Sequence, residues 1–526
     1  KNGDFAFLLH LIKSLKSKGK GCIVMPLGVL FRGNTEADLR KKIIQKGYIK
    51  GIIGLPPNLF YGTGIAACLI VIDKENAQNR KDIFMIDAGK GFIKDGNKNR
   101  LREQDIHKIV DTFNNRIEIP KYSRIIPISE IAGPKNDYNL NIPRYIDSQE
   151  AEDLQDIEAH LLGDIPNRDI DDLGKYWEVY PTLKSALFKP SKRKNYSALC
   201  IVKEEIKNTI FHHPEFTAFS KKMNAVFDTW KKETTAYTKA LNKGFHPKQE
   251  IYMISEDLLK HYTGKQLTDK YAMYQHLMDY WAKTMQDDMY ELAADGWKAG
   301  NEVKRIEKKT KKGDKEVVKQ VAGIEGLEGR LIPPALIVQA YFAKEQKAID
   351  DLEAQAETLN ARMEELREEH GGEDGLLANA IDDKGKISKG NLQKRLKELT
   401  MDNEQWTIED KEEIKILKVY LKLTEQEAEV QAKIKAAKTD VEKKVIAQYP
   451  KLSIDETKNI VVDKKWMHNM EQRIRTEMDN ISHRLTQRIK ELVERYEATL
   501  PTLTNEVDVL EKKVNSHLKS MGFVWK

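Results

Sequence analysis

Ile53-Gly54-Leu55-Pro56-Pro57-Asn58-Leu59-Phe60-Tyr61-Gly62-Thr63-Gly64-Ile65 links two apolar runs, Ile49 to Leu55 and Ile65 to Asp73. Such runs, rich in isoleucine and bounded by proline and glycine, predict two strands joined by a loop. Phe60 and Tyr61 place two aromatic rings side by side in that loop, and Gly62 and Gly64 let the backbone turn tightly beside a flat ligand. Toward the N-terminus, Cys22-Ile23-Val24-Met25-Pro26 predicts a buried strand closed by proline. Before it, Phe5, Leu8, Leu9, Ile12 and Leu15 fall at helical spacing, and Gly19 and Gly21 end the helix. Thr35 reads as an N-cap with Asp38 three residues on, and the helix Ala37 to Gln45 stops at Gly47. Strand, helix, then two strands joined by a loop predicts the second half of a doubly wound α/β sheet ending in a β-hairpin. Pattern alone fits any α/β domain.

The residues add more. Gly3-Asp4-Phe5-Ala6-Phe7 leads to Gly21-Cys22-Ile23-Val24-Met25-Pro26 and Gly28-Val29-Leu30-Phe31-Arg32-Gly33. The Ile53 to Ile65 segment follows, and then Asp137-Tyr138-Asn139-Leu140-Asn141-Ile142-Pro143-Arg144-Tyr145. In this order and spacing they resemble the modification (methyltransferase) subunits of type I restriction-modification systems. The chain is similar to the C-terminal portion of a long-form member, with 1–146 as the C-terminal half of an adenine-N6 methyltransferase domain. The resemblance implies a site-specific, adenine-specific DNA methyltransferase that uses S-adenosylmethionine, with sequence choice left to a separate specificity subunit.

Adenine-N6 methylation needs a donor site, an acceptor for the amine and a base taken out of the helix. The resemblance places the Asn/Asp-Pro-Pro-aromatic motif and the glycine-rich donor turn upstream of Lys1. A start at Lys1, inside a predicted helix, is read as truncation. No catalytic, cofactor-binding or metal-ligating residue is therefore assigned. The fragment is expected to be inactive and not to bind S-adenosylmethionine. Leu55-Pro56-Pro57-Asn58 has the motif's residue types in reverse order, so Asn58 reads as loop; Gly89-Lys90-Gly91 lacks GxGxxG spacing and reads as a turn. What the resemblance leaves on this chain is the stacking wall for the target base, at Phe60 with Tyr61 as runner-up, and a base-pocket loop at Gly62 and Gly64. Phe60 as a core residue capping the hairpin stays open.

At 526 residues the chain is too long for one core. Its 88 basic and 82 acidic residues leave a net charge of +6, which permits a nucleic-acid partner without arguing for one. Cys22, Cys68 and Cys200 form no CxxC pair, so no zinc site is read and a reduced compartment is expected. The longest apolar run, Ile65 to Ile72, falls short of the roughly 20 residues of a membrane span. The location implied is the prokaryotic cytoplasm.

Residues 147–331 are rich in aromatics and predict a mainly helical domain; His160 and His212-His213 lack ligand spacing. Tyr280-Trp281 with Asp287-Asp288 resembles a stretch of the longer family members. The basic runs Lys189 to Lys194 and Lys308 to Lys319 read as phosphate contacts or as solvated faces. Over 332–464, one seam through Ile349, Leu352, Ala356, Leu359, Met363 and Leu366 and another through Leu423, Val430, Ile434, Ala437, Val441 and Val445 predict a coiled-coil helical hairpin. Over 465–526, stripes through Ile474, Met478, Ile481, Leu485, Arg488 and Leu492 and through Leu503, Val507, Leu510, Val514 and Leu518 predict helices that pack at home or on a partner. The resemblance makes this last segment the assembly contact. It implies as partners double-stranded DNA, the specificity and restriction subunits, and a second copy of the chain. A different class of reading is a non-enzymatic helical scaffold fragment that binds partner subunits.

Overall fold

Isoleucine-rich runs form the centre of a five-stranded sheet in the order β1-β3-β2-β4-β7. The strands are β1 (Lys20–Pro26), β2 (Ile49–Gly54), β3 (Ala67–Asp73), β4 (Asp82–Asp87) and β7 (Ser123–Pro127); a separate short hairpin, β5 (Ile93–Asp95) and β6 (Lys98–Arg100), lies between the last two in sequence. The structure is a computed structural model describing residues 3–149, 154–312, 315–372, 375–382, 385–401 and 407–523, without the side chains of 309–318 and 401.

β3 inserts between β1 and β2, antiparallel to both, with Cys68 opposite Met25 and Ile70 opposite Ile52. β4 runs parallel to β2, with Ile86 opposite Ile53, and β7 closes the row antiparallel to β4. Strands covered on both faces read as unbroken apolar runs. On one face, Phe5, Leu8 and Ile12 of α1 (Asp4–Ser14) and Ile43 and Ile44 of α2 (Thr35–Gln45) meet Ile52, Ile70, Ile72, Ile83 and Met85. On the other, Ile109 of α3 (Glu103–Asn115) packs over Ile53, Phe84 and Ile86.

Two expectations are corrected. The sheet does not finish at the β2–β3 hairpin: β4 and β7 extend it. Ile83-Phe84-Met85-Ile86 is fully buried, but so short an apolar run cannot be told from buried helix by period. Thr35 is the first helical residue rather than the N-cap. Asn34 takes the cap position with a φ of 54° and no side-chain bond. Gly47 does end α2, at a φ of 65°, and a Cβ there would strike the Ala77 carbonyl oxygen. The Asp137 to Tyr145 segment braces α2: Leu140 N–H donates to Leu30 O at 2.8 Å, and buried Arg40 donates to the Tyr138, Val29 and Arg32 carbonyls.

By contacts in space the chain divides into two units, Lys1–Lys232 with Ile251–Lys283 and Met470–Lys526, and Glu233–Glu250 with Thr284–Asn469. Outside the sheet the first unit is mostly helical. Its buried Trp230 indole donates to Ile254 O, and Tyr180 meets Phe219 edge-on at 5.7 Å. From Met470 onward, the helix His468–Glu497 buries Ile474, Met478, Ile481, Leu485, Ile489 and Leu492. Ile489 replaces the expected Arg488 because a 3.6-residue helix drifts against a seven-residue repeat. The next helix, Leu500–Ser520, has no buried residue and exposes Leu503, Val507, Leu510 and Val514. Arg193, in the first basic run, pairs with Glu158 at 3.1 Å. Most of the second run, the side chains of 309–318, lies outside the described residues.

In the second unit, helices Ala343–His370 and Ile408–Gln448 run antiparallel. Glu345 meets Lys444 at 3.2 Å, Glu353 meets Lys438 at 2.5 Å, and Thr424 meets Met363 at 3.8 Å. Ala356, Val430 and Ile434 form the seam between them. Asp288, singled out in the sequence, is buried and accepts from Lys465 and Trp466. Among the described residues no helix is long and apolar enough to cross a membrane.

Candidate functional site

Because β2 and β4 are parallel and Gly54 stands opposite Asp87, both strands deliver their next residues to one edge of the sheet. In open α/β sheets that carboxyl edge is where ligands bind. The loop leaving β2 is closed on itself. Leu55 N–H donates to Ala67 O at 2.9 Å and Asn58 N–H to Gly64 O at 3.2 Å. Asn58 and Gly62 hold left-handed φ values of 56° and 79°, tolerable for these two residue types. At Gly64 it is space that matters, since a Cβ would lie 3.0 Å from Asn58 Oδ1.

The structure separates the two aromatics. Phe60 is half-buried and packs with Leu59 against Ile53, Leu55, Phe84, Ile86, Ala88 and Ile109. Tyr61 is 94% exposed. One ring anchors the loop on the core, and the other projects with both faces open.

Residues that the sequence reading passed over hold this loop. The β5–β6 hairpin lies against it. Lys98 Nζ donates to Phe60 O at 2.9 Å and to Thr63 O at 3.1 Å. Asn99 donates through its side chain to Pro57 O at 2.7 Å and through its backbone to Asn58 O at 3.0 Å. Gly96-Asn97, the two residues between paired Asp95 and Lys98, is the dipeptide signal from which the hairpin was readable.

Beside β4 lies a pocket of about 280 Å³ lined by Asp87, Lys90, Arg102, Asp105, Lys108 and Tyr122, among others. Its charges are largely answered within the protein. Arg102 forks onto Asp105 at 2.8 and 2.9 Å, which holds the guanidinium above its ordinary value. Lys90 donates to Ser148 O, and Lys108 sits 4.2 Å above the Tyr122 ring, whose phenol burial pushes up. The turn Gly89-Lys90-Gly91 spends its two glycine N–H groups on Asp87 Oδ1 and Ala88 O.

Residues 1–154, which include the loop and the hairpin, match the family model described as N-6 DNA Methylase. The methylase subunit of the type I restriction enzyme MpnII of Mycoplasma pneumoniae is 30% identical over 183 residues, 34% of this chain and 33% of that protein. That of MjaVII from Methanocaldococcus jannaschii is 38% identical over 143 residues, 26% of this chain and 24% of that protein. Among solved structures, a type I restriction-modification methyltransferase subunit from Streptococcus thermophilus is 45% identical over 28% of this chain and 31% of its own, with a TM-score of 0.27. The chain thus spans a third or less of the length of these relatives. Residues 1–154 are thus similar to N-6 DNA methylase sequences, among them those of type I restriction enzyme methylase subunits.

Proposed function

We propose that this chain is part of the adenine-methylating subunit of a type I restriction-modification system. In this reading, the Asn58 to Gly64 loop forms one wall of the slot for a target adenine extruded from duplex DNA. The exposed Tyr61 ring, fixed at the carboxyl edge of the parallel strands with Phe60 seated behind it, carries the proposal. Extrusion costs a few kcal/mol. Stacking on an aromatic ring returns about 1–3 kcal/mol per base. In this reading the half-buried Phe60 remains a stacking candidate, and the exposed Tyr61 supplies the free face.

The methyl donor in this reading is S-adenosylmethionine, and the pocket beside β4 does not fit it. The pocket beside β4 is walled by charges already paired within the protein, whereas cofactor sites are mostly apolar and range over about 300–1,000 Å³. The two glycine N–H groups of the Gly89-Lys90-Gly91 turn are both taken within the protein. This chain's own share of the reaction is therefore to receive and orient the base.

The test compares Phe60→Ala and Tyr61→Ala in the complete methylase assembly, using duplexes with an extruded adenine. Both should weaken binding, Tyr61→Ala without loss of stability. Parent-like binding and methylation by both variants would refute the reading.

The exposed stripe Leu503, Val507, Leu510 and Val514 favours a second role beside the first. Valine alternating with leucine at three- and four-residue spacing suits a two-helix seam. We infer that this helix docks on a coiled-coil segment of the specificity subunit. Undiminished co-purification after its deletion would refute that.

A further inference from the structure

We infer that Lys98 and Asn99 are positioning residues that preset the Phe60–Tyr61 loop before any base arrives; the inference rests on the base-stacking reading above. Four hydrogen bonds from these two adjacent residues engage the main-chain oxygens of Pro57, Asn58, Phe60 and Thr63. The two from the Lys98 ammonium fall on either side of Tyr61-Gly62, so one cation braces both flanks of the exposed ring. Charge-assisted bonds of this kind are roughly twice as strong as neutral ones.

The brace is itself fixed. Ile93 pairs with Arg100 across the hairpin, Arg100 meets Asp95 at 3.0 Å, and Gly91 N–H donates to Ala88 O at the end of β4. Loop geometry is thereby tied to the buried sheet rather than left to a glycine-containing loop. A binding loop ordered in advance does not lose that freedom again on binding, which raises affinity without any new contact to the ligand. Neither residue need touch the base. Their effect passes through the loop.

Two measurements test the inference, the first on this chain and the second in the complete methylase assembly. The first needs no DNA: hydrogen exchange at the Asn58 amide, which closes the loop on Gly64 O. Lys98→Met keeps the aliphatic stem and removes the charge, and should speed this exchange about tenfold, the worth of about one net hydrogen bond to a charged group. Lys98→Arg should restore most of the protection. The second is binding to a duplex carrying 2-aminopurine opposite an abasic position, whose fluorescence falls on stacking against a ring. Lys98→Met should weaken that quenching titration about tenfold, with Asn99→Ala in the same direction and Lys98→Arg close to the parent. If Tyr61→Ala and Phe60→Ala quench like the parent, or if the parent does not quench, the base-stacking reading falls and takes this one with it. If those two variants lose quenching while Lys98→Met keeps both parent affinity and parent exchange, stacking stands and the positioning role is overturned.

Discussion

Lys465→Met should cost the second unit about 3–5 kcal/mol near pH 7, the range for breaking a buried ion pair by removing one partner. The Lys465 ammonium lies 2.7 Å from Asp288 and 2.7 Å from Leu331 O, and the Trp466 indole donates to the other Asp288 oxygen at 2.8 Å. The two side chains of the pair are 10% and 6% exposed, so little water replaces a lost partner. Methionine fills the space of the lysine stem, which confines the change largely to the charge. What remains is a buried carboxylate with one indole donor. Burial already pushes the Asp288 carboxyl above its ordinary range, outweighing the pull of Lys465 and Trp466. A raised carboxyl pKa favours the fold most below the unfolded value of about 3.9, and that favour fades as pH rises through the folded value. Without Lys465 the folded value climbs further. The deficit should therefore shrink as pH is lowered from about 7 toward 5, because the folded carboxyl takes up a proton first. Adding Asp288→Asn to Lys465→Met should recover much of the loss near neutrality, since no charge is left unpaired. Urea unfolding of parent, single and double variants across this pH range gives each quantity. A deficit below about 1 kcal/mol, typical of an exposed pair, would refute the reasoning, as would one that does not change with pH.

Three further outcomes are expected. Tyr61→Ala should leave the melting curve within about 0.5 kcal/mol of the parent because its ring touches little, whereas Phe60→Ala should lose about 1–3 kcal/mol by emptying part of the second core; equal shifts would contradict the division into anchor and projecting ring. Glu477 is partly buried, but His276, Asn480 and Arg484 outweigh that burial and hold its carboxyl below the usual range. Its stabilisation is therefore present above the unfolded value of about 4.3 and lost as pH falls through the folded one, so Glu477→Gln should be weaker than the parent at neutrality and converge with it in acid unfolding monitored by circular dichroism. Ending the chain after Thr499 should shift stability by no more than about 0.5 kcal/mol, as no residue of the last helix is buried; a large loss in thermal melting would mean that this helix packs at home.

The strands β1, β2 and β3 were legible because each is an apolar run closed by proline, glycine or a polar residue, and α1 and α2 because their apolar residues recur at helical spacing. β4 and β7 were not. Ile83-Phe84-Met85-Ile86 is four residues long, and Ser123-Arg124-Ile125-Ile126-Pro127 shows neither clean alternation nor a long run. The rings at 60 and 61 were both visible, but adjacency in a loop carries no rule for which one turns inward. That is settled by Phe84, Ile86 and Ile109, which are distant in sequence. Lys98 and Asn99 were harder still. They donate to main-chain oxygens, which every residue possesses, so no complementary side chain at a fixed spacing announces the contact. The Arg488 to Ile489 shift arose from treating a single helix with the period of a coiled coil.

The parallel setting of β4 has a reason that joins the missed strands to the loop the sequence did single out. A loop with two glycines and a ring 94% exposed has little of its own to stay ordered, at a cost of about 1–2 kcal/mol for each residue fixed. Help must come from outside, and it comes from 93–100. Had β4 been antiparallel to β2, residues 88–100 would have emerged at the opposite edge, about 20 Å away for a six-residue strand at 3.3 Å per residue. Capping a sheet edge places no demand on strand direction, since either orientation covers the Ile53 face. Bringing Lys98 to the carbonyls beside Tyr61 does. Parallel pairing also requires a longer connection than a hairpin, and here β2 reaches β4 by way of β3 and a link with a 3-10 turn at Ala77–Asn79, where Arg80 donates to Asp73 O at 2.7 Å. The sheet extension is thus best understood as the support of the aromatic loop: strand direction fixes where the hairpin emerges, the hairpin fixes the loop, and the loop fixes the ring.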